Sequence, residues 1–557
     1  MAETSSLSER DEKSVLDEKL SPQNGGDANA EAAIERSVTK ESIKYPPKAK
    51  VIPIMLALYI SMFLVALDRL IVATATPKIT DEFHSLNDIG WYGSAYMLTA
   101  SASQLVYGRI YTFYPAKWVF LASIIIFEAG SALCGAAPSS VSFIIGRAIA
   151  GIGTGGISAG AVIIIVFTVP LQQRPMYQGF MGAVFGIASV LGPILGGVFT
   201  THVTWRWCFY INLPFGGAAI AVVFFLLDVP PPRNGSWTIK QKIKLLDPLG
   251  NLFLMPCVLC LLLALEWGGS TYAWANWRII FLFVLFGVLG AVFVAVEIWL
   301  GEKALVPPRI FKQRSVLAGV IWTMSTSACM MVVLYYLPIW FQAIKNVDAE
   351  QSGIMNLPLV ISMVIAVIFS GVAISKLGYY NPFMFIAVAL LSIGSGLIYT
   401  FQIDTGHPKW IGYQVIFGLG LGFGVQQANI AVQTCLDPVD VPIGASLLMF
   451  SQQLNGAIFM GIAETLFSNF LKKNLEKVSG IDAAAVIKAG ATSLREYVPE
   501  SKMSAVLDGY SDAVTRTFIL AIVMACLSIF PALAMEWKSV RKDVNKKRKL
   551  ETADEKA

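Results

Sequence analysis

The sequence predicts an all-α integral membrane protein that crosses the bilayer about fourteen times, and three observations predict it. Of its 557 residues 55% are hydrophobic and only 14% charged, whereas a soluble globular protein carries roughly 25% charged residues. Mean hydropathy is +0.63, so there is too little charge to cover a water-facing surface. Apolar runs of about 20 residues, long enough to cross roughly 30 Å of hydrocarbon, recur from Val51 onward.

The expected spans are 51–75, 89–108, 118–136, 141–166, 176–199, 206–227, 248–265, 278–299, 316–339, 353–374, 380–400, 411–431, 443–466 and 515–535. Forty-six glycines support close helix packing, because small residues let bilayer helices approach each other. Residues 1–45 are polar and of mixed charge; they cannot bury a core and read as a disordered cytoplasmic tail. That stretch lacks the apolar core of a signal peptide, which leaves the first span as the insertion signal.

Lys and Arg decide the orientation. With the N-terminus inside, Arg109, Lys117, Arg174, Arg233, Lys240, Lys242, Lys244, Lys303, Arg309, Lys312, Arg314 and Lys376 fall on cytoplasmic loops. The short outer loops hold little beyond Lys78, Lys345 and Lys409, and the tail 538–557 is basic. Both termini are therefore expected in the cytoplasm, and 467–514 as one sizeable outer loop. Asn234-Gly235-Ser236 matches a glycosylation pattern but falls inside, so no glycan is expected there.

Span 4 carries Gly146-Arg147 followed by Gly151, Gly153 and Gly155. Span 12 carries Gln414 followed by Gly418, Gly420 and Gly422. This echo suggests a duplication: a first bundle over 46–227, a second over 316–537, and two inserted spans within 228–315. Duplicated halves around a midplane site are a transporter architecture. Chance resemblance between glycine-rich helices is the competing explanation.

Several functions are excluded or weakened. No GxxxxGK[ST] phosphate loop occurs, so transport driven by this chain's own ATP hydrolysis is not expected. The modest net charge of +5 argues against nucleic acid. Seven cysteines lie in or beside apolar runs and three histidines are isolated, so neither a disulfide framework nor a metal site is expected. No nucleophile–base set suggests an enzyme. The expected partners are a small-molecule substrate, protons and the lipid bilayer, with a proton gradient as energy source, no cofactor, and a monomer as the working unit.

Proton coupling needs an ionisable group inside the membrane, where charge is costly. Asp68 in span 1 lies about 25 Å from the inner end, and Arg147 in span 4 about 10 Å below the outer surface, at 1.5 Å per residue. Their depths match, so Asp68 pairs with Arg147 or takes a proton in its place; the bland alternative is that Asp68, followed by Arg69, caps the outer end of span 1. Glu128 in span 3 is the next candidate, with Glu464 and Glu297 nearer span ends. Span 5 holds Gly192-Pro193-Ile194-Leu195-Gly196-Gly197, a kinked, closely packing segment. Gln426, Gln427 and Asn429 in span 12, with Gln452, Gln453 and Asn455 in span 13, either link helices or line a substrate cavity. Trp322, Met324, Met330, Met331 and Tyr335 either form a soft ligand wall or ordinary packing.

Four stretches resemble the major facilitator superfamily, specifically its fourteen-span drug:proton antiporter family of fungi. They are Leu67-Asp68-Arg69 through Pro77, Gly146-Arg147 through Gly156, Gly186 through Gly197, and Trp205-Arg206-Trp207-Cys208-Phe209-Tyr210-Ile211-Asn212-Leu213-Pro214. The resemblance covers about 46–540. It implies the major facilitator fold, a proton-related role for Asp68 and Arg147, and a gating role for Gly192-Pro193 where the halves meet. The loop between spans 2 and 3 departs from the family pattern: Gly108-Arg109-Ile110-Tyr111-Thr112-Phe113-Tyr114-Pro115-Ala116-Lys117 lacks the aspartate and second glycine. The function implied is proton-coupled efflux of drugs, toxins or secondary metabolites across the plasma membrane, with the vacuolar membrane as an alternative. Import of amino acids or siderophores, and a non-transporting sensor of the same fold, are the competing readings.

Overall fold

The structure, a computed structural model, describes residues 45–85, 88–229, 246–269, 271–478, 481, 495 and 498–541. The expectations for the tail before residue 45, for Arg233, Asn234, Lys240, Lys242 and Lys244, for the middle of 467–514 and for the tail after residue 541 concern residues outside that set.

Among the described residues fourteen long helices follow one another. The first six are α1 (Lys48–Phe83), α2 (Ile89–Phe113), α3 (Ala116–Gly135), α4 (Ser140–Thr168), α5 (Arg174–His202) and α6 (Trp207–Leu226). Next come α7 (Pro248–Trp267) and α8 (Trp277–Leu300). The last six are α9 (Arg314–Lys345), α10 (Leu357–Leu377), α11 (Asn381–Tyr399), α12 (His407–Cys435), α13 (Val441–Leu475) and α14 (Glu500–Ala534). Helices suit these segments because a bilayer offers no water to backbone N–H and C=O groups, which an α-helix pairs internally.

Twelve of these helices are long and apolar enough to cross a membrane. The other two, α2 and α13, have 25 and 35 residues. Both are long enough but more polar, and both lie where the halves meet. Several helices also outrun their expected spans: α13 continues to Leu475 and α14 begins at Glu500, inside the segment read as an outer loop.

Packing divides the helices into two sets. In the first, α4 packs on α2 and α3, and α1 on α5 and α6; in the second, α12 packs on α10 and α11, and α9 on α13 and α14. The sets meet along two seams, α2 against α13 and α5 against α10. Between the two sets α7 packs on α8, and α7 also touches α2 and α13. Only 6% of the apolar window of α8 is buried, which leaves that helix facing lipid nearly all round.

The glycine echo acquires a physical cause. A Cβ at Gly153 would stand 2.5 Å from the Phe127 backbone nitrogen of α3, and one at Gly420 2.7 Å from the Leu391 nitrogen of α11. Gly151 lies against the Tyr96 carbonyl of α2, and Gly418 against the Leu359 carbonyl of α10. Each comb thus seats its helix on equivalent neighbours in its own half.

The spans are interrupted where side chains can compensate. Helix α12 breaks after Gly424, and two buried donors satisfy the freed carbonyls. Trp322 Nε1 donates to Gly424 O at 2.9 Å, and Gln427 Nε2 donates to Phe423 O at 2.6 Å.

This packing makes a paired prediction. Gly153→Leu and Gly420→Leu should each reduce folded, monodisperse protein, because overpacking costs about 1–3 kcal/mol and here the obstacle is backbone. Gly396→Leu on α11, with nothing within 4 Å of its Cβ position, should be tolerated. Size-exclusion profiles of the detergent-solubilised variants decide it.

Candidate functional site

Asp68 is fully buried in the middle of α1. Its Oδ2 accepts a 2.6 Å ionic hydrogen bond from Arg147 Nη1 of α4. Its Oδ1 accepts from Asn212 Nδ2 of α6 at 3.3 Å, and the same amide donates to Ser131 Oγ of α3 at 3.1 Å. Arg147 is 1% exposed; its Nε donates to the Tyr92 carbonyl at 2.9 Å and its guanidinium lies 4.4 Å from the Tyr96 ring centre. Five helices therefore converge on one ion pair. A buried pair of this kind holds only when its remaining donors and acceptors are satisfied.

Aromatic rings shield the pair. Phe143 contacts Tyr92 at 5.0 Å, Phe209 at 5.2 Å and Trp205 at 5.8 Å between ring centres, all edge to face. Trp205, Phe209 and Asn212 all come from the stretch 205–214. Sequence reasoning took that stretch as a family mark and assigned Asn212 no role. The available signal was an amide inside an apolar run, since a buried amide needs a partner.

Glu128 is buried in α3, and neither carboxyl oxygen has a hydrogen-bond partner among the described residues. It sits against Gly216 of α6, where a Cβ would collide with the carboxyl. Ser131 is one turn along α3 and Asn212 one turn back along α6. Glu128 thus ends a polar string that begins at Arg147 and Asp68. The second half has no matching charge. Gln414 stands four residues before Gly418, as Arg147 does before Gly151, and its Nε2 donates to the Met355 carbonyl at 3.0 Å.

The glycines of α5 expected at the gate do not all face the second half. Gly192 faces Leu70 of α1, whose Cβ would be 3.0 Å from an added Cβ, Gly196 lies against Thr74 of α1, and Gly197 has nothing within 4 Å. Gly186 is the residue turned to the second half: an added Cβ would stand 2.5 Å from Val364 Cγ2 of α10. Gly179 and Gly182 point the same way, toward Val367. The reason is helical phase. At 100° per residue, Gly179, Gly182 and Gly186 share one face while Gly192 is turned about 120° from it. Pro193 lies within the helix beyond these contacts.

The amides do not gather into one patch. Gln426 is buried at the α12 break, beside Gly182, with its Oε1 unpartnered among the described residues. Gln427 serves the break itself, and Asn429 Oδ1 has no partner among the described residues. Asn455 Nδ2 donates to Ser451 O of its own helix at 2.6 Å. Gln452 is half-buried. Gln453 accepts from Arg69 Nη1 at 3.0 Å, a bond from one half to the other.

At the end of the bundle that the charge bias places inside, the segment after α8 links both halves. Arg109 Nη2 of α2 donates to the Glu302 carbonyl at 3.0 Å. Arg309 grips Asp440, at the start of α13, with bonds of 2.8 and 3.2 Å, and reaches Glu302 at 3.4 Å. Glu297 accepts from the Leu305 and Val306 amides at 3.1 and 2.8 Å, and Asp247 accepts from Leu305 at 3.0 Å. Glu297 therefore anchors this turn, while Glu464 is exposed.

Comparison with known proteins agrees with this architecture. The Major Facilitator Superfamily profile matches residues 58–272. The MFS-type transporter VdtG of Byssochlamys spectabilis is 50% identical over 499 residues, covering 90% of each chain. The rubrofusarin-specific efflux pump aurT of Gibberella zeae is 50% identical, covering 89% of this chain and 91% of its own. The efflux pump aflT of Aspergillus parasiticus is 47% identical, covering 88% and 96%. Among solved structures, the human organic anion transporter MFSD10 (TETRAN) superposes with a TM-score of 0.54 at 15% identity, covering 86% of this chain and 100% of that one. The proton:xylose symporter XylE gives 0.55 at 12% identity, covering 87% and 95%. Fold and helices define a multi-pass membrane transporter. The chain belongs to the Major Facilitator Superfamily.

The geometry makes Asn212 testable by itself. Asn212→Ala leaves Asp68 Oδ1 buried without its donor, a loss of about 1–3 kcal/mol. The apparent Tm of the purified protein should fall, and a melting curve matching wild type would show that the amide is dispensable.

Proposed function

We propose that this chain is a proton-coupled efflux pump for small organic compounds, with Asp68, Arg147 and Glu128 as the proton-handling groups. The observation that carries it is the buried Asp68–Arg147 pair with an unpartnered carboxyl at the end of the same polar string. Ionisable groups inside a membrane are functional by default, and carboxylates near cations form proton relays. A proton on Asp68 would cancel the attraction that ties α1 to α4, and Asn212 would remain to hold the neutral carboxyl. Such a change is the kind of local switch that biases two states of a bundle.

The relatives support export. Several are named efflux pumps, and one is named for rubrofusarin. Those names favour export over import of amino acids or siderophores, and over a non-transporting sensor. In this reading the chain resides in the plasma membrane, crosses it fourteen times with both ends cytoplasmic, and works as a monomer. The vacuolar membrane is the alternative address.

The gate follows from the seams. Gly108 of α2 lies against Pro442 and Ser446 of α13, and Gly371 of α10 against Pro175 of α5. Both contacts close the inner end, and Gly186 continues the α5 seam outward. In place of the altered loop between α2 and α3, the clasp of Arg109, Glu302, Arg309 and Asp440 holds that end shut.

Two measurements test this reading. In proteoliposomes with an imposed pH gradient, wild type should concentrate a fluorescent organic dye against its gradient, and Asp68→Asn should only equilibrate it. Continued concentration by Asp68→Asn would remove Asp68 from the coupling mechanism. Asp440→Asn should act more mildly. The Arg309 side chain is 56% exposed, and partly exposed ion pairs contribute about 0.2–1 kcal/mol. Transport rate should therefore change by less than tenfold at normal abundance, and abolition would assign Asp440 a larger role than a clasp.

A further inference from the structure

We propose that Arg69 recognises an anionic group on the exported compound, so that the substrate class is aromatic or aliphatic molecules bearing a carboxylate or an acidic phenol. The inference rests on the export reading and names its substrate. Arg69 follows Asp68 on α1, but one residue turns the helix by 100°. Asp68 points into its own half, toward α4 and α6. Arg69 points the other way and reaches Gln453 on α13, 384 positions along the chain. Helices α1 and α13 are not a packed pair; α13 meets the first half chiefly through α2 and to a lesser extent through α4. The bridge therefore crosses the space between the halves, where a transporter of this architecture holds its cargo.

Among the described residues the charge of Arg69 has no counter-ion. Arg147, Arg206, Arg309 and Arg516 each stand within 4.0 Å of a carboxylate, but among the described residues Arg69 does not. The adjacent Asp68 is taken by Arg147 and Asn212. A guanidinium stays charged and offers five N–H donors in a planar fork. Gln453 takes one of them, and it is a neutral acceptor. The side chain is half-buried, and among the described residues its remaining donors have no hydrogen-bond partner. One turn before Gln453 on α13, Met449 Sδ accepts from buried Gln104 of α2 at 3.5 Å, a second contact that carries no charge. A cation held at this depth is costly unless something neutralises it. A carboxylate matches the fork with two parallel bonds, and a phenolate accepts one strong bond.

Binding to the purified full-length protein tests this, with 2-naphthoic acid and its neutral methyl ester as probes at a pH where the acid is ionised. Wild type should prefer the acid at least tenfold. Arg69→Gln should lower the ratio of acid to ester affinity at least tenfold, and Arg69→Lys should lower it less, since it keeps the charge but loses the fork. If Arg69→Gln does not survive purification, Gln453→Glu carries the test. A carboxylate placed beside Arg69 would occupy the guanidinium and lower the same ratio. Equal binding of acid and ester by wild type, no binding of the acid, or an unchanged ratio in the variants would each overturn the proposal. Failure of the export reading is seen separately. In that case wild-type proteoliposomes would move neither probe nor the dye, whereas failure of this proposal alone leaves dye export intact.

Discussion

Placing a carboxylate and a guanidinium together inside a bilayer costs several kcal/mol for each ion before their attraction recovers any of it. The recovery depends on geometry, and the geometry here is shared among five helices. α1 supplies the acid and α4 the base, α6 and α3 supply the amide and hydroxyl string, and α2 supplies a carbonyl and the Tyr96 ring. None of these elements can move alone without leaving a buried polar group of this network unsatisfied. The first half of the molecule is therefore organised around this pair. The second half keeps the same helix arrangement with a neutral glutamine at the matching position, so it has no such restraint.

The glycines determine how closely everything else approaches. Helices in lipid lack a hydrophobic drive toward one another and rely on packing and hydrogen bonds. Gly151 and Gly153 set α4 directly on the backbones of α2 and α3, and Gly418 and Gly420 repeat the arrangement for α12. Along α5 the same residue type serves two partners in succession. Its first stretch of glycines meets α10 across the seam, and its later one meets α1. This helix is thus in contact with both the opposite half and the helix that carries Asp68 and Arg69. A shift of α1 would therefore be felt at the α5 seam through direct packing.

The pair α7 and α8 between the two sets of helices has a structural role at one end of the bundle. Buried Asp247 and Glu297 pin the amides of Leu305 and Val306. That turn presents Glu302 and Arg309 to Arg109 of one half and Asp440 of the other. The sequence between α2 and α3 lacks the acidic residue expected there, and the turn after α8 brings Glu302 and Arg309 to the same region from elsewhere in the chain. Within it the Arg309–Asp440 pair is only partly buried, and partly exposed ion pairs contribute about 0.2–1 kcal/mol.

Local periodicity and elementary lengths carried the sequence reading a long way. Apolar runs located the helices to within a few residues at most ends, and the 1.5 Å rise placed Asp68 and Arg147 at one depth, where the structure pairs them. The spacing of Gly151, Gly153 and Gly155 against Gly418, Gly420 and Gly422 marked the two helices that the structure seats, each on its own pair of neighbours, in the same way. Position along a helix and angle around it are properties of the chain itself, so they are legible in it. Which neighbour stands at a given angle is not. Asn212 as the second partner of Asp68, Gln427 as the bond donor at the α12 break, Gly186 rather than Gly192 at the seam, and Arg69 reaching Gln453 were all decided by the tertiary structure. Each depends on the lateral placement of helices hundreds of residues apart, and that placement is a joint outcome of every contact in the bundle.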